Sequence, residues 1–339
     1  MAILLSLILV IMSHARQDDF PRLAGPYLGQ KPPGKTPEPF APEIFNPNSY
    51  AWYHSVIVFS PDGKEAFWQA GRKKSADNQF EERLFTIKQI NEKWTEPMMF
   101  PFLEGNGDSA TISPDGKKLF FLSEKPIPGL NMKRPKENIW VSERRGGRWS
   151  EPAPLSQTIN SLDLHWQISQ DKNGNLYFGK WRVDPETRRT LEHDIYVARF
   201  KNDKYESPEK LGSEINNPET RQFSPHVSPE GDYLLFSRTT KNAPFKTTLH
   251  LSYLDKAGRW MPPLNLSDIL HITGENAKIT LDGKYMFFLK SGREVYWMDA
   301  SFIEEMRPKE GQIKYKGKKV ENEKNNSYRL FAADRGNDF

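Results

Sequence analysis

Residues 60–64 read Ser-Pro-Asp-Gly-Lys, and the same five residues return at 113–117. Variants stand at 228–232 (Ser-Pro-Glu-Gly-Asp) and 280–284 (Thr-Leu-Asp-Gly-Lys), and a copy with one extra residue stands at 169–174 (Ser-Gln-Asp-Lys-Asn-Gly). Proline presets φ, the acidic side chain accepts backbone N–H groups, and glycine takes the positive φ of a tight turn. The five turn glycines are 53, 58, 57 and 52 residues apart, so we predict five copies of one unit of about 55 residues.

Strand signals surround every turn. A short apolar strand such as 56–59 precedes it, a more apolar strand such as 233–236 follows, and a third strand such as 194–197 comes next. An aromatic residue with a proline three positions later then marks an outer strand, where proline removes no ladder hydrogen bond and we expect the ring to cover the blade edge. These pairs are Trp94 and Pro97, Trp149 and Pro152, Tyr205 and Pro208, and Trp260 and Pro263. Four strands per unit are typical of a propeller blade, so we expect an all-β, five-bladed β-propeller of four-stranded antiparallel blades over residues 16–308.

The fifth copy has no aromatic-x-x-Pro pair of its own, and residues 299–306 have a helical pattern instead. Near the other end of the chain, residues 34–42 resemble the segment 149–154 that contains such a pair. We therefore expect the N-terminal segment to supply the outer strand of the last blade, which closes the ring without leaving a sheet edge exposed.

Composition and motifs narrow the function classes. The 339 residues include no cysteine, which excludes disulfides, cysteine metal ligands and cysteine nucleophiles. The net charge is +4 and no stripe of basic and aromatic residues stands out, so we expect no nucleic-acid partner. The sequence also lacks a glycine-rich phosphate loop, a Gly-x-Ser-x-Gly elbow and a His-Glu-x-x-His motif.

The two ends of the chain differ from the repeats. Residues 3–12 are apolar apart from Ser6, and Ser13, His14 and Ala15 form the small-x-small pattern of a cleavage site. We predict a signal peptide at 1–15, a periplasmic or secreted location, and no stable membrane insertion after cleavage; the alternative is an N-terminal anchor or a buried apolar segment. Residues 309–339 are rich in charged residues and asparagine, and we expect a charged, disordered tail.

The Ser-Pro-Asp-Gly-Lys turn followed by an aromatic strand resembles the WD40-like repeat known as PD40, which is familiar from TolB-type propellers of the periplasm. The resemblance covers about residues 25–307, and the segments 25–30, 139–144 and 296–300 are similar to the exported single-propeller branch. It implies a monomeric, non-catalytic binding or scaffold module for a protein, peptide or glycan on one propeller face. The motif predicts the fold specifically but gives almost no information on function.

In a propeller the innermost strands surround the central axis, so the residues before each turn are candidates for a ligand site. Alternation along these strands directs the fourth and second residues before the turn-starting Ser or Thr towards the axis, and further polar residues lie higher on the same loops. The candidates for ligand binding are His54, His165, Gln167, Arg221, His226 and Lys278.

Two subsets of these loop residues suggest chemistry. Asp108, Asp163 and Glu275 are candidate catalytic carboxylates of a carbohydrate-active hydrolase or lyase, the alternative to a binding module, although they could equally satisfy loop amides. His54, His165 and His226 come from different repeats and are candidate ligands of a divalent metal in the channel, although they could equally be structural. Apart from this metal we predict no cofactor.

Overall fold

Five antiparallel sheets are arranged as a five-bladed β-propeller, which confirms the fold expected from the repeats. The structure is a computed structural model that describes residues 23–45, 52–73, 80–103, 107–130, 136–184, 186–187, 190–241 and 246–309, without the side chains of 72–73, 80–81 and 165–166. The predicted signal peptide lies outside these residues, as does the predicted tail apart from Lys309. In the part of the chain described, no helix is long and apolar enough to cross a membrane.

The blades follow one another along the chain. After β1 (Glu38–Pro39), the first blade contains β2 (Val58–Phe59), β3 (Glu65–Lys73), β4 (Phe80–Ile90), β5 (Lys93–Trp94) and β6 (Met98–Met99). The second contains β7 (Gly107–Ile112), β8 (Lys118–Ser123), β9 (Asn138–Arg145), β10 (Arg148–Trp149) and β11 (Ala153–Pro154). The third contains β12 (Leu164–Gln170), β13 (Leu176–Val183), β14 (Thr190–Ala198), the hairpin of β15 (Phe200–Lys201) and β16 (Lys204–Tyr205), and β17 (Glu209–Lys210).

The fourth blade contains β18 (Thr220–Val227), β19 (Tyr233–Thr240), β20 (Thr247–Tyr253) and β21 (Leu264–Asn265). The fifth contains β22 (Glu275–Ile279), β23 (Tyr285–Lys290) and β24 (Glu294–Asp299). Short helices connect the strands: a 3-10 turn at Tyr27–Gly29, α1 (Gln157–Asn160), α2 (Leu266–Ile269) and α3 (Phe302–Glu305). Helix α3 lies where the sequence predicts one after the last strand.

All five repeat turns close with the same hydrogen bond. Each turn glycine donates its N–H to the carbonyl three residues earlier at 2.8–3.0 Å, in the pairs Gly63–Ser60, Gly116–Ser113, Gly174–Asp171, Gly231–Ser228 and Gly283–Thr280. The φ angles of these glycines lie between 66° and 85°, a backbone conformation that side chains disfavour. The repeat therefore depends on glycine at this position.

The third turn begins at Asp171 and not at Ser169. This copy therefore has no extra residue, and the prediction of one from the sequence is wrong. Asp171 takes the place of the turn serine: its Oδ1 accepts the backbone N–H of Asn173 at 2.9 Å and of Asn175 at 3.0 Å. In the first turn, Ser60 Oγ accepts the N–H of Glu65 in the same way at 3.0 Å. An aspartate can replace a serine here because both offer an oxygen to the same amides.

The N-terminal segment completes the fifth blade, as predicted. Strand β1 pairs with β24, so the sheet order is β1, β24, β23, β22. Beside it, Phe40 donates its N–H to Val295 O at 2.8 Å, and its ring is only 1% exposed. The ring lies 4.9 Å from the rings of both Phe287 and Trp297. The two ends of the propeller are thus joined by a sheet pairing and an apolar cluster.

The aromatic-x-x-Pro pairs organise the outer part of the blades. Each of the outer strands β6, β11, β17 and β21 begins at the residue after the proline. The aromatic rings pack against the preceding blade, which differs from our expectation that they cover the blade edge. Trp149 lies 5.8 Å from Phe67 of the first blade, and Trp260 lies 6.4 Å from Tyr177 of the third. The pattern therefore marks contacts between blades.

Candidate functional site

Four of the five inner strands have a bulge at the same place. Ser109, Gln167, Ser224 and Asn276 each stand four residues before the start of a turn, and their φ angles lie between 45° and 57°. Pairing with the next strand shifts register there in β7, β12, β18 and β22. In the third blade this position belongs to Gln167 and the position two residues later to Ser169, because the turn starts at Asp171. A non-glycine residue in this conformation costs about 1–3 kcal/mol, so the surrounding structure must hold it there.

The bulge residues bond to one another across the propeller axis. Asn276 Nδ2 donates to His54 O at 2.7 Å, and Gln167 Nε2 donates to the same oxygen at 3.4 Å. Ser224 Oγ donates to Asn276 Oδ1 at 2.5 Å, and Gln167 N donates to Ser109 Oγ at 2.9 Å. These five residues come from the five blades. The axis is therefore filled by protein at this level, and a ligand would have to approach from one face.

Lys278 and His226 lie on the side of the turns and face the protein interior. Lys278 Nζ donates to Ala110 O at 2.8 Å, and His226 Nε2 accepts the N–H of Ile279 at 3.1 Å. Burial lowers the pKa of Lys278 to about 7, with the charge of Asp108 opposing. Burial and the charge of Lys278 lower the pKa of His226 to about 3. The two side chains line a cavity of about 30 Å³, room for a water molecule, so both predicted ligand residues connect blades in the interior.

At the face opposite the turns, His54 meets two carboxylates. His54 Nδ1 lies 3.2 Å from Glu82 Oε1 and 3.3 Å from Asp108 Oδ2, and one ligand-type atom of each residue lies within 4.8 Å of the other two. His54 precedes β2, Glu82 lies on β4 and Asp108 lies on β7. We call these three residues the mouth cluster. The His54 side chain is 32% exposed and that of Asp108 only 4%, so the cluster opens to solvent beside the histidine.

Hydrogen bonds to the backbone and side chains fix the mouth cluster. His54 N donates to Gln69 Oε1 at 2.7 Å, while His54 O accepts the axial bonds described above. Ser109 N donates to Asp108 Oδ1 at 2.5 Å, and Trp52 Nε1 donates to Glu82 Oε1 at 3.3 Å. The three residues are therefore preorganised by partners from four blades and the loop before β2.

The carboxylates and the imidazole alter one another's protonation. Burial alone lowers the pKa of His54, but a hydrogen bond to Asp108 and the charges of Asp108 and Glu82 outweigh it and raise that pKa to about 9. Burial and the charge of Asp108 raise the pKa of Glu82 to about 7, although His54 opposes them. Near neutral pH the cluster thus contains an imidazolium between one carboxylate and a second carboxyl group that titrates.

Two further acidic residues and an indole surround the mouth cluster. Burial raises the pKa of Glu275, and the charge of His54 opposes this shift, which places the two groups within electrostatic reach. The charge of Glu137 contributes to the raised pKa values of both His54 and Glu82. The Trp52 ring lies 6.2 Å from the His54 ring. His54 therefore interacts electrostatically with four carboxyl groups at this face.

The remaining sequence candidates are placed elsewhere. The carbonyl of Asp163 accepts the N–H of Trp181 at 2.9 Å within the third blade, and Arg221 lies on β18 opposite Thr239. His165 lies on β12, and its side chain is outside the described part of the chain. Among the described residues, the group that could hold a metal contains His54 with Glu82 and Asp108, and it does not include His226.

Glu82 is the member of the mouth cluster that the sequence analysis missed. The predicted site residues all stand before the turns, whereas Glu82 stands at the start of the third strand of its repeat. A signal was present: Glu82 and Glu137 each directly precede the aligned third strands at 83–86 and 138–141. Because third strands begin at the face where inner strands begin, two aligned glutamates there indicate an acidic rim.

Comparisons with known proteins identify no family for this chain. No protein-family model and no curated protein matches the sequence, so the finer assignment to the PD40 family stays a prediction. Similar solved structures include a puromycin-hydrolyzing peptidase from Mycobacterium tuberculosis (11% identity, TM-score 0.40, 63% of this chain and 29% of the peptidase). They also include TolB from Acinetobacter baumannii (12% identity, TM-score 0.39, 72% of this chain and 54% of TolB). A third is an endo-arabinase from Bacteroides thetaiotaomicron (15% identity, TM-score 0.44, 72% of this chain and 92% of the arabinase). This chain thus spans less than a third of the peptidase and about half of TolB, and likenesses this distant say nothing of its activity.

Proposed function

We propose that this propeller is an exported, non-catalytic binding module whose protein or peptide ligand docks at the face of the mouth cluster. The observation that supports this best is the convergence of Glu82, Asp108 and Glu275 on His54 above an axis filled by the bulge residues. Polar groups that converge at a partly exposed position on a rigid scaffold are typical of ligand sites. Export rests on the predicted signal peptide.

The charges at this face favour a peptide over a neutral glycan. Four carboxyl groups interact electrostatically with a single histidine, and the Trp52 indole lies beside them. Lysine and arginine side chains complement such a surface through charge-assisted hydrogen bonds and cation–π contacts. An uncharged sugar has no cationic group and can form neither contact. We therefore expect the ligand to present at least one basic side chain.

A carbohydrate-active hydrolase is the second candidate, because Glu82, whose pKa is about 7, lies beside Asp108 as an acid and a nucleophile would. The position of His54 argues against it. Its Nδ1 contacts both carboxylates at 3.2 and 3.3 Å, and so occupies the space that a scissile bond would need. Hydrolysis of nitrophenyl glycosides or acidic polysaccharides that is lost in Asp108→Asn would support this second candidate.

The proposal is tested with a peptide array and a glycan array probed by the purified chain. We expect binding to peptides with basic side chains, confirmed in solution by fluorescence anisotropy. In Glu82→Gln/Asp108→Asn the affinity should fall at least about tenfold, the effect of losing a single charge-assisted bond of about 1.4 kcal/mol. Glu192→Gln is the matched control, since Glu192 is a partly buried glutamate paired with Lys180 in the third blade. Binding to glycans alone, or equal binding by the double variant, would refute the proposal.

A further inference from the structure

We propose that His54 Nδ1, Glu82 and Asp108 Oδ2 form a site for one divalent transition-metal ion, with Zn²⁺ as the best fit. This inference rests on the proposed function: the ion would occupy Glu82 and Asp108 at the face where the ligand docks, and would leave Glu275 and Glu137 to the basic side chain of the ligand. It rests on distances, on the chemistry of the three side chains and on an incompletely satisfied carboxylate oxygen.

The spacing of the donor atoms fits a shared metal ion. Tetrahedral zinc binds nitrogen and oxygen ligands at about 2.0–2.1 Å, which places neighbouring ligand atoms about 3.3 Å apart. His54 Nδ1 lies 3.2 Å from Glu82 Oε1 and 3.3 Å from Asp108 Oδ2. Both distances match this spacing, and the third, between the two carboxylate oxygens, is within 4.8 Å.

Asp108 provides a second, independent observation. Asp108 is 3% exposed, and its Oδ1 accepts a hydrogen bond from the N–H of Ser109. The other oxygen, Oδ2, receives no well-aligned hydrogen bond among the described residues, and its contact there is His54 Nδ1 at 3.3 Å. A buried carboxylate oxygen needs a cation beside it, and a metal ion bound by the same His54 nitrogen would take the place of the imidazolium proton.

The donor set selects the kind of metal. One imidazole nitrogen with two carboxylates suits zinc and related transition metals, whereas calcium and magnesium prefer oxygen ligands alone. Three protein ligands leave a fourth position, and the partly exposed side of His54 directs that position towards solvent. The neighbouring bonds from Ser109 N and Trp52 Nε1 would orient the carboxylates, as outer-shell partners do in metal sites.

The test is isothermal titration calorimetry of the chelator-treated, dialysed full chain with ZnCl₂. We expect one Zn²⁺ per chain, with affinity reduced at least about 100-fold in His54→Ala, Glu82→Gln and Asp108→Asn, since loss of an outer-shell partner alone costs about 10–100-fold. Glu192→Gln should bind zinc as the unaltered chain does, and a tenfold excess of Mg²⁺ should not displace it. Stoichiometric binding that survives in all three cluster variants would overturn the inference, as would the absence of zinc uptake.

A second measurement covers the case in which the variants fail to fold. A crystal of the unaltered chain with zinc should show anomalous difference density between His54 Nδ1 and the two carboxylates, and density at any other position would contradict the inference. The result is separable from that of the proposed function. Peptide binding by metal-free chain with no zinc uptake would refute the metal site alone, whereas zinc uptake with no peptide binding would refute the docking proposal alone.

Discussion

At the scale of single residues, His54 connects the structural interior with the exposed face. Its carbonyl accepts side chains from the third and fifth blades, while its imidazole contacts carboxylates of the first and second. Ser224 and Asn276 extend these bonds through the fourth and fifth blades. The geometry of the mouth cluster therefore depends on bulge residues that no ligand would touch.

Replacing Asn276 with alanine should show this dependence. Asn276→Ala leaves Ser224 Oγ without its partner and His54 O with only the 3.4 Å bond from Gln167, and it keeps a left-handed φ that alanine tolerates poorly. We therefore expect a loss of about 2–4 kcal/mol in the free energy of unfolding. Urea denaturation followed by tryptophan fluorescence measures it. Asn173→Ala, in the exposed third turn, is the control and should change stability by less than about 0.5 kcal/mol. An equally small effect of Asn276→Ala would show that the axial bonds are dispensable.

The buried histidine His226 should make the fold sensitive to acid. The pKa of His226 is about 3 in the folded chain and about 6.5 in an unfolded chain, so between these values the unfolded state binds the extra proton. Stability is then lost as pH falls below 6.5, at about 1.4 kcal/mol per pH unit for this group. His226→Gln keeps an acceptor for the N–H of Ile279 and removes the titration.

The measurement is the free energy of unfolding in urea at pH 7.0, 5.5 and 4.5. The free energy of unfolding should fall less steeply with falling pH in His226→Gln than in the unaltered chain. The difference in slope should be at most that of one bound proton, about 1.4 kcal/mol per pH unit. His271→Gln, at an exposed histidine, should keep the decline of the unaltered chain. If His226→Gln and the unaltered chain declined in parallel, His226 would not be the buried neutral group that its environment implies.

Sequence reasoning reached part of the site. It identified His54, Asp108 and Glu275 because these residues stand just before or on inner strands, whose place in the repeat is readable from the turns. It missed Glu82, which reaches the mouth from a third strand and is brought there by the pairing of β3 with β4. It also placed Gln167 two positions too near the turn, because Asp171 performs the role of a serine and shifts the register of that repeat.

At the scale of elements, one of the two-residue strands has a central structural role. Strand β1 has two residues, yet its pairing with β24 joins the ends of the ring. The following residue, Phe40, fills the space between β1 and the rings of Phe287 and Trp297. Closure of the last blade was predictable, because the repeat lacked an outer strand at one end and a matching segment stood at the other.

Phe40→Ala tests the strength of this closure. The Phe40 ring is 1% exposed and packs against two aromatic neighbours, so its removal should lower the free energy of unfolding by about 3–5 kcal/mol. Pro39→Ala, on an exposed residue of the same strand, should change the free energy of unfolding by less than about 0.5 kcal/mol. Equal and small effects of both substitutions would indicate that the N-terminal segment adds little to the ring.

At the scale of the whole molecule, the two faces of the propeller differ in chemistry. The five repeat turns occupy one face, and their side chains are largely used in local hydrogen bonds. The other face presents the mouth cluster with Glu275, Glu137 and Trp52. The axis between the faces is filled, so the two surfaces act separately. We therefore expect the ligand to bind at the face of His54 and not at the face of the turns.

Photo-crosslinking from each face tests that claim most directly. A benzoylphenylalanine replaces Ser291, exposed in the β23–β24 hairpin beside Glu275, or Lys172, exposed in the third turn on the opposite face. A basic peptide selected from the array is added, and crosslinked product is quantified by mass spectrometry. We predict crosslinking from position 291 that disappears in Glu82→Gln/Asp108→Asn, and background levels from position 172. Crosslinking from position 172, with none from 291, would contradict the account.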